Sequence, residues 1–178
     1  MKRAVVLDRD GVINDNSRPV NLPDELILFP DAASSIARLN QAGFLVCVAT
    51  NQGGVGLGYL SQEGLDQIHD AMLRRLAEHG ATIQRIAACT HAPHAGCSCR
   101  KPRPGMLLDL HRQLGFSLDD SFMVGDRETD VEAGIAAGMK TAFIGAGKTT
   151  AEFQATSLTG VVDWILGEQT PSTRQNIR

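Results

Sequence analysis

Short apolar runs that stop abruptly at polar clusters recur along this chain, separated by stripes of apolar residues at helical spacing. The first run is Ala4-Val5-Val6-Leu7, which ends at Asp8, Asp10 and Gly11. Four apolar residues in a row are too few for a helix and suit a strand buried on both faces. Phe44–Ala49 likewise runs into a polar loop of Thr50, Asn51, Gln52, Gly53 and Gly54. Arg85–Cys89, Ser121–Val124 and Thr141–Ile144 are three further runs. The spacing predicts helices between them. One spans Asp31–Gln41, with Ile36 and Leu39 on one face and Gly43 as its stop. A second is capped by Ser61, carries Leu65, Ile68, Met72 and Leu76, and closes at Gly80. A third carries Met106, Leu107, Leu110 and Leu114 and ends at Gly115; a fourth runs to Ala137, with Gly138 as its stop. Val161–Leu166 is a last short element.

Strands alternating with helices predict an α/β fold, a Rossmann-like parallel sheet with helices on both faces. Residues 1–167 are expected to form one domain, and 168–178 a flexible polar tail. Residues 14–30 hold Pro19, Pro23 and Pro30 and read as a long loop or flap. Four polar clusters then fall after four strands: Asp8/Asp10, Thr50/Asn51, Arg100/Lys101 and Asp126/Asp130. In a parallel sheet such loops share one edge, so the four clusters can meet in one crevice.

Composition narrows the partners. Of 178 residues 43% are hydrophobic and only 4% aromatic, which makes the core mainly aliphatic. The formal net charge of −3 argues against a nucleic-acid binder. No apolar run reaches membrane-spanning length. Met1-Lys2-Arg3 leads straight into the first strand without a secretory signal, so the expected compartment is the cytoplasm. No leftover apolar stripe calls for a partner chain, and a monomer is expected. Cys47 lies mid-strand and reads as core; His69, His79 and His111 lie on helices and read as solvated or packing residues; Trp164 reads as a core anchor.

The clustered groups suit phosphoryl transfer. Aspartates offer the hard oxygens that Mg²⁺ prefers. One carboxylate can attack phosphorus and form an aspartyl-phosphate. A second can protonate the leaving alkoxide and later activate water. The Thr50 hydroxyl, loop amides and Lys101 can meet the redistributed charge on the phosphoryl oxygens. Separately, Cys89, Cys97 and Cys99 with His91 or His94 form a compact Cys₃His set, the composition of a structural zinc site. Four protein ligands would close that site, which assigns it no catalytic step. It would fix the loop that ends in Arg100 and Lys101.

On these residues the chain resembles the haloacid dehalogenase (HAD) superfamily of phosphatases. Leu7-Asp8-Arg9-Asp10-Gly11-Val12 is similar to its first motif, the strand ending in Thr50 to its second, Lys101 to its third, and Gly125-Asp126-x-x-x-Asp130 to its fourth. The resemblance implies Asp8 as nucleophile and Asp10 as general acid/base. It implies Mg²⁺ held by Asp8, the Asp10 main-chain carbonyl and Asp126, with Asp130 behind them as a supporting partner. Cap domains in that superfamily are inserted between motifs, and residues 11–49 and 51–100 leave no room for one beyond the elements above. A capless enzyme with an open site is expected.

Asp-Arg-Asp-Gly, Thr-Asn-Gln, Cys-x-His…Cys-x-Cys-Arg-Lys-Pro and Pro-Gly-Met together resemble the heptose bisphosphate phosphatases and the related histidinol-phosphate phosphatases. That likeness selects His91 over His94. It also implies substrate contacts from Asn16, Ser17, Arg18 and Pro19, from Thr50, Asn51, Gln52 and Gly53, and from Arg100, Lys101 and Arg127. The expected activity is removal of the C7 phosphate from a heptose 1,7-bisphosphate, in the supply of activated heptose for cell-surface glycans. Two departures, Arg18-Pro19-Val20 in the flap and Arg127 after Asp126, keep histidinol phosphate as the alternative substrate. A polynucleotide 3′-phosphatase is the remote one, disfavoured by the acidic balance and the lack of an aromatic-studded basic groove.

Overall fold

The structure, a computed structural model, describes residues 1–167. The tail expected at 168–178 lies outside the described residues. In chain order the elements are β1 (Ala4–Leu7), α1 (Ala32–Gln41), β2 (Leu45–Asn51), α2 (Gly53–Gly56), α3 (Gln62–Ala77) and β3 (Arg85–Cys89). Then come α4 (Gly105–Leu114), β4 (Phe122–Gly125), α5 (Glu128–Ala137), β5 (Lys140–Ile144), β6 (Phe153–Ala155) and α6 (Leu158–Gly167).

The six strands among the described residues are all parallel, in the order β3-β2-β1-β4-β5-β6. The chain builds outward from β1 to β3, then crosses back to place β4 on the other side of β1. That reversal opens a crevice at the carboxyl ends of β1 and β4, where ligands of such sheets bind.

The strand period of two sends alternate side chains to opposite faces. Val5, Leu7, Val46 and Val48 join Ile36, Leu39, Ile68, Met72, Val161 and Ile165 in one buried cluster. Ala4, Val6, Cys47 and Ala49 join Met106, Leu107, Leu110, Ala133 and Ala137 in the other. Helices therefore cover both faces, α1, α3 and α6 on one and α4 and α5 on the other. Their combined burial leaves β1 without solvent contact and makes it a rigid mount for the polar residues at its carboxyl end.

Three local features differ from the sequence expectation. β2 continues through Thr50 and Asn51, because Thr50 pairs with Ala88 and Asn51 with Cys89 in the ladder to β3. Gly53–Gly56 forms a helical turn rather than a loose loop. The short element at 161–166 belongs to α6, and β6 adds an edge strand before it. Trp164 is half-buried and stacks on Phe153 of that edge strand, with ring centroids 4.8 Å apart.

Candidate active site

β1 carries Asp8 to the crevice, and its ladder extends one bond further: Asp8 N–H donates to Val124 O at 2.9 Å. The chain then turns at Gly11, whose φ of +85° is a left-handed conformation that an L side chain rarely adopts. A Cβ there would lie 2.1 Å from Asp126 Oδ2, so only glycine lets the turn after β1 close against the turn after β4.

Lys101 is buried, and its Nζ meets three acceptors: Asp8 Oδ1 at 2.9 Å, Asp130 Oδ1 at 2.6 Å and Ala49 O at 2.6 Å. An ammonium has three N–H donors, and this arrangement uses all of them. Asp8, Asp126 and Asp130 each offer a carboxylate oxygen within 4.8 Å of the others. One lysine does not balance three carboxylates. Burial pushes the Asp8 carboxyl up to about 7; Lys101 pulls it down and Asp130 adds to the rise. Burial also raises Asp126, with Asp130 adding to the rise and Arg127 opposing it. Lys101 is held above its ordinary value, since Asp8 and Asp130 outweigh the burial that favours its neutral form.

The donor set fits a divalent cation. Asp126 Oδ2 accepts from Asn16 Nδ2 at 3.1 Å, but its Oδ1 is buried with no hydrogen-bond partner. A buried carboxylate oxygen left unpaired beside two more carboxylates is what a hard cation with oxygen ligands would satisfy.

Asp10 is held apart from this cluster. Its Oδ1 accepts from Arg9 Nε at 3.2 Å, Arg9 Nη2 at 3.0 Å and Asn14 Nδ2 at 3.0 Å. Its Oδ2 accepts from Arg9 Nη2 at 3.1 Å and Gln52 Nε2 at 2.9 Å. Burial alone would raise its carboxyl, but Arg9 and the bonds from Asn14 and Gln52 win and hold it below the usual carboxylate range. Gln52 also donates to Thr50 Oγ1 at 2.8 Å, which ties the end of β2 to the Asp10 side chain. Arg9 and Asn14 were not singled out from the sequence. The available signal was weak: an arginine two residues past a buried strand end and flanked by two aspartates, which needs polar partners if it turns inward.

The other expected residues divide. Asn51 is clasped to the Lys101 main chain: its Nδ2 donates to Lys101 O at 3.1 Å, and its Oδ1 accepts from Lys101 N–H at 3.0 Å. It still lines, with Asp8, Asp10, Arg100, Lys101 and Arg127, a crevice of about 360 Å³. Arg100 keeps one buried nitrogen, Nη1, without a partner, close against Gly53. A second cleft of about 560 Å³ runs outward from Asp10 and is lined by Asn16, Arg18, Pro19, Gln52 and Arg127. Ser17 is exposed, and its N–H closes a turn onto Asp15 Oδ1 at 2.7 Å. Arg75 of α3 anchors the flap, donating to Leu26 O at 2.5 Å and Pro23 O at 3.1 Å.

The Cys/His loop brings together Cys89, His91, Cys97 and Cys99. Cys99 Sγ is 3.1 Å from Cys89 Sγ and 3.2 Å from His91 Nδ1, and Cys89 Sγ is 3.6 Å from both Cys97 Sγ and His91 Nδ1. These separations are too long for a disulfide, which is about 2.05 Å. At 3.1–3.6 Å they lie at or a few tenths of an ångström inside the edges of a zinc tetrahedron, about 3.5–3.8 Å at ordinary Zn–N and Zn–S lengths, so a small outward shift would seat the ion. The cluster could hold a zinc ion, through His91 rather than His94.

Residues 98–165 match the HAD-hydrolase-like family. The chain is 43% identical over 137 residues to the D-glycero-β-D-manno-heptose-1,7-bisphosphate 7-phosphatase of Bordetella bronchiseptica, covering 76% of each chain. To the enzyme of that name from Pseudomonas aeruginosa it is 41% identical over 145 residues, covering 81% of this chain and 82% of the relative. The chain belongs to this heptose bisphosphate phosphatase family of the HAD superfamily. A crystal structure of the D,D-heptose 1,7-bisphosphate phosphatase from B. bronchiseptica, complexed with magnesium and phosphate, superimposes with a TM-score of 0.87 at 36% identity. The match covers 93% of this chain and 99% of that one. As a HAD phosphatase the chain is a phosphoric monoester hydrolase.

Proposed function

We propose that the protein hydrolyses the 7-phosphate of D-glycero-D-manno-heptose 1,7-bisphosphate, as its relatives' names state for them. The observation that carries the reading is the separation of two carboxylates at one strand end. Asp8 lies in the lysine–carboxylate cluster, and Asp10 is held outside it by Arg9, Asn14 and Gln52. Two environments give two roles.

Asp8 attacks phosphorus in line as the ester P–O bond breaks, giving an aspartyl-phosphate. Asp10 delivers a proton to the departing alkoxide and then takes one from the water that attacks the phosphoenzyme. Its lowered carboxyl suits the second task. A bound phosphate dianion beside it opposes the effect of Arg9 and favours the protonated form needed for the first. Arg100, with an unpaired buried nitrogen, and the Thr50 hydroxyl take phosphoryl oxygens, and Lys101 balances the charge of Asp8. Mg²⁺ held by Asp8, Asp126 and the Asp10 main-chain carbonyl would offset repulsion between the nucleophile and the phosphate. Zinc in the Cys/His loop would fix Arg100 and Lys101.

The outer cleft favours a second phosphate. Arg18 and Arg127 both line it, so it offers cations where histidinol phosphate would present an ammonium. Of the two flap carboxylates that could meet such an ammonium, Asp15 and Asp24, the first already accepts from Ser17 N–H at 2.7 Å, and neither lines this cleft. Asn16, Ser17, Pro19 and Gly53 complete the proposed substrate surface. Residues 1–167 form one phosphatase domain in this reading, working as a cytoplasmic monomer without nucleic acid or membrane. No helix among the described residues is long and apolar enough to cross a membrane. A panel of phosphate esters assayed with Mg²⁺ tests the assignment. The heptose bisphosphate is expected to give the highest kcat/KM, and equal or better turnover of histidinol phosphate would overturn it.

A further inference from the structure

α3 turns one histidine toward the sheet. His69 follows Ile68 on a stripe with Leu65, Met72 and Leu76, and it is only 8% exposed. Its Nε2 is 3.2 Å from Arg9 Nη1. A guanidinium can only donate, so the imidazole accepts and carries its proton on Nδ1. Arg9 is itself 1% exposed and uses its remaining edge, Nε and Nη2, on the Asp10 carboxylate. A chain of contacts therefore runs from α3 through Arg9 to the side chain that moves protons.

We propose that His69 is a positioning residue for the acid/base step, holding one edge of the Arg9 guanidinium so that the other keeps Asp10 aimed at the leaving oxygen. The inference rests on the role given to Asp10 above. Burial and the neighbouring Arg9 charge push the imidazole down to about 4, against opposing pulls from Asp66, Asp10 and Asp70. The ring thus stays an acceptor through the neutral range. Without it Arg9 Nη1 is a buried donor with no partner, and the guanidinium must rotate or draw in water to satisfy it. Asn14 and Gln52 also grip Asp10, so the expected loss is partial.

The step affected is transfer of a proton from Asp10 to the ester oxygen as the bond from Asp8 Oδ to phosphorus forms and the P–O ester bond breaks. An alkoxide needs that proton to leave; p-nitrophenolate does not. kcat/KM reports events up to release of the alcohol, so the ratio of kcat/KM for the heptose bisphosphate to that for p-nitrophenyl phosphate isolates the proton transfer. His69→Leu is expected to lower this ratio about tenfold, His69→Gln, whose amide oxygen can accept from Arg9, to restore most of it, and Asp10→Asn to lower it further. His69→Ala, read the same way, serves if the leucine variant does not fold. An unchanged ratio in His69→Leu, with Asp10→Asn still discriminating, overturns the role of His69 alone. An Asp10→Asn variant that does not discriminate overturns the acid role and this inference with it.

Discussion

The acidic crevice and the Cys/His loop both gather metal-type ligands, and they do so in opposite ways. The crevice takes Asp8 from the end of β1 and Asp126 and Asp130 from the β4–α5 turn. The loop takes all four ligands from residues 89–99. Carboxylates with a charge excess stay together in the crevice because two hydrophobic clusters hold the strands that bear them. In the loop Cys89 is buried, Cys97 and Cys99 are half-buried at the rim of one hydrophobic cluster, and His91 is exposed. One site is thus imposed by the fold, while the other, as a proposed zinc site, would rely on its ion for rigidity. The first should fail in chemistry and the second in stability.

Asp8→Asn is the strongest attempt to break this contrast. Turnover should fall about 10⁴-fold or more, because the proposed nucleophile is gone. The melting temperature should hold or rise, since a buried charge next to Asp130 has been removed. Phosphate release and a thermal melt check both halves. A large loss of stability would mean that the cluster helps to hold the fold.

Cys99→Ser tests the other half. Zinc content should drop, and stability should fall by about 3 kcal/mol or more as the loop loses its organising ion. Activity should follow as Arg100 and Lys101 lose their mount. Metal analysis with a denaturant melt decides: full stability without zinc would put the loop in the same class as the crevice.

The same contrast explains what the sequence made legible. The loop is local, so its ligands are visible as a spacing, and only the choice between His91 and His94 needed more. The crevice is long-range, yet it was visible because each member follows an apolar run, and parallel strands bring such ends together. Hidden were the groups whose role depends on side-chain direction. Arg9 reads as a spacer between two aspartates, and nothing in its position says that its guanidinium folds back onto Asp10. His69 reads as a packing or solvated residue, yet its place among Leu65, Ile68 and Met72 marks the buried face. In the fold, β6 was missed because three residues at a sheet edge, after a Gly-rich loop, carry too little alternation to stand out. Asn51 and Gln52 were expected to face substrate, but they first serve the neighbouring main chain and the Asp10–Thr50 pair.

Asn51 is where the two regions meet. Its amide holds both main-chain polar groups of Lys101, the residue at which the Cys/His loop delivers its ammonium to Asp8 and Asp130. Asn51→Ala leaves a partly buried N–H and C=O unpaired, a cost of about 1–3 kcal/mol. It should also let the Lys101 main chain drift away from the end of β2. Because Lys101 supports charge rather than initial docking, the expected result is a kcat lower by about tenfold with KM little changed. Zinc content should stay at the unmodified level, since none of the four ligands is touched. Steady-state kinetics and metal analysis of the same preparation separate the outcomes. A normal kcat would show that the loop positions Lys101 unaided. Loss of zinc would show that the clasp holds the loop rather than the lysine. A tenfold fall in kcat with zinc intact would place the coupling between fold-imposed and ion-imposed sites in one side chain.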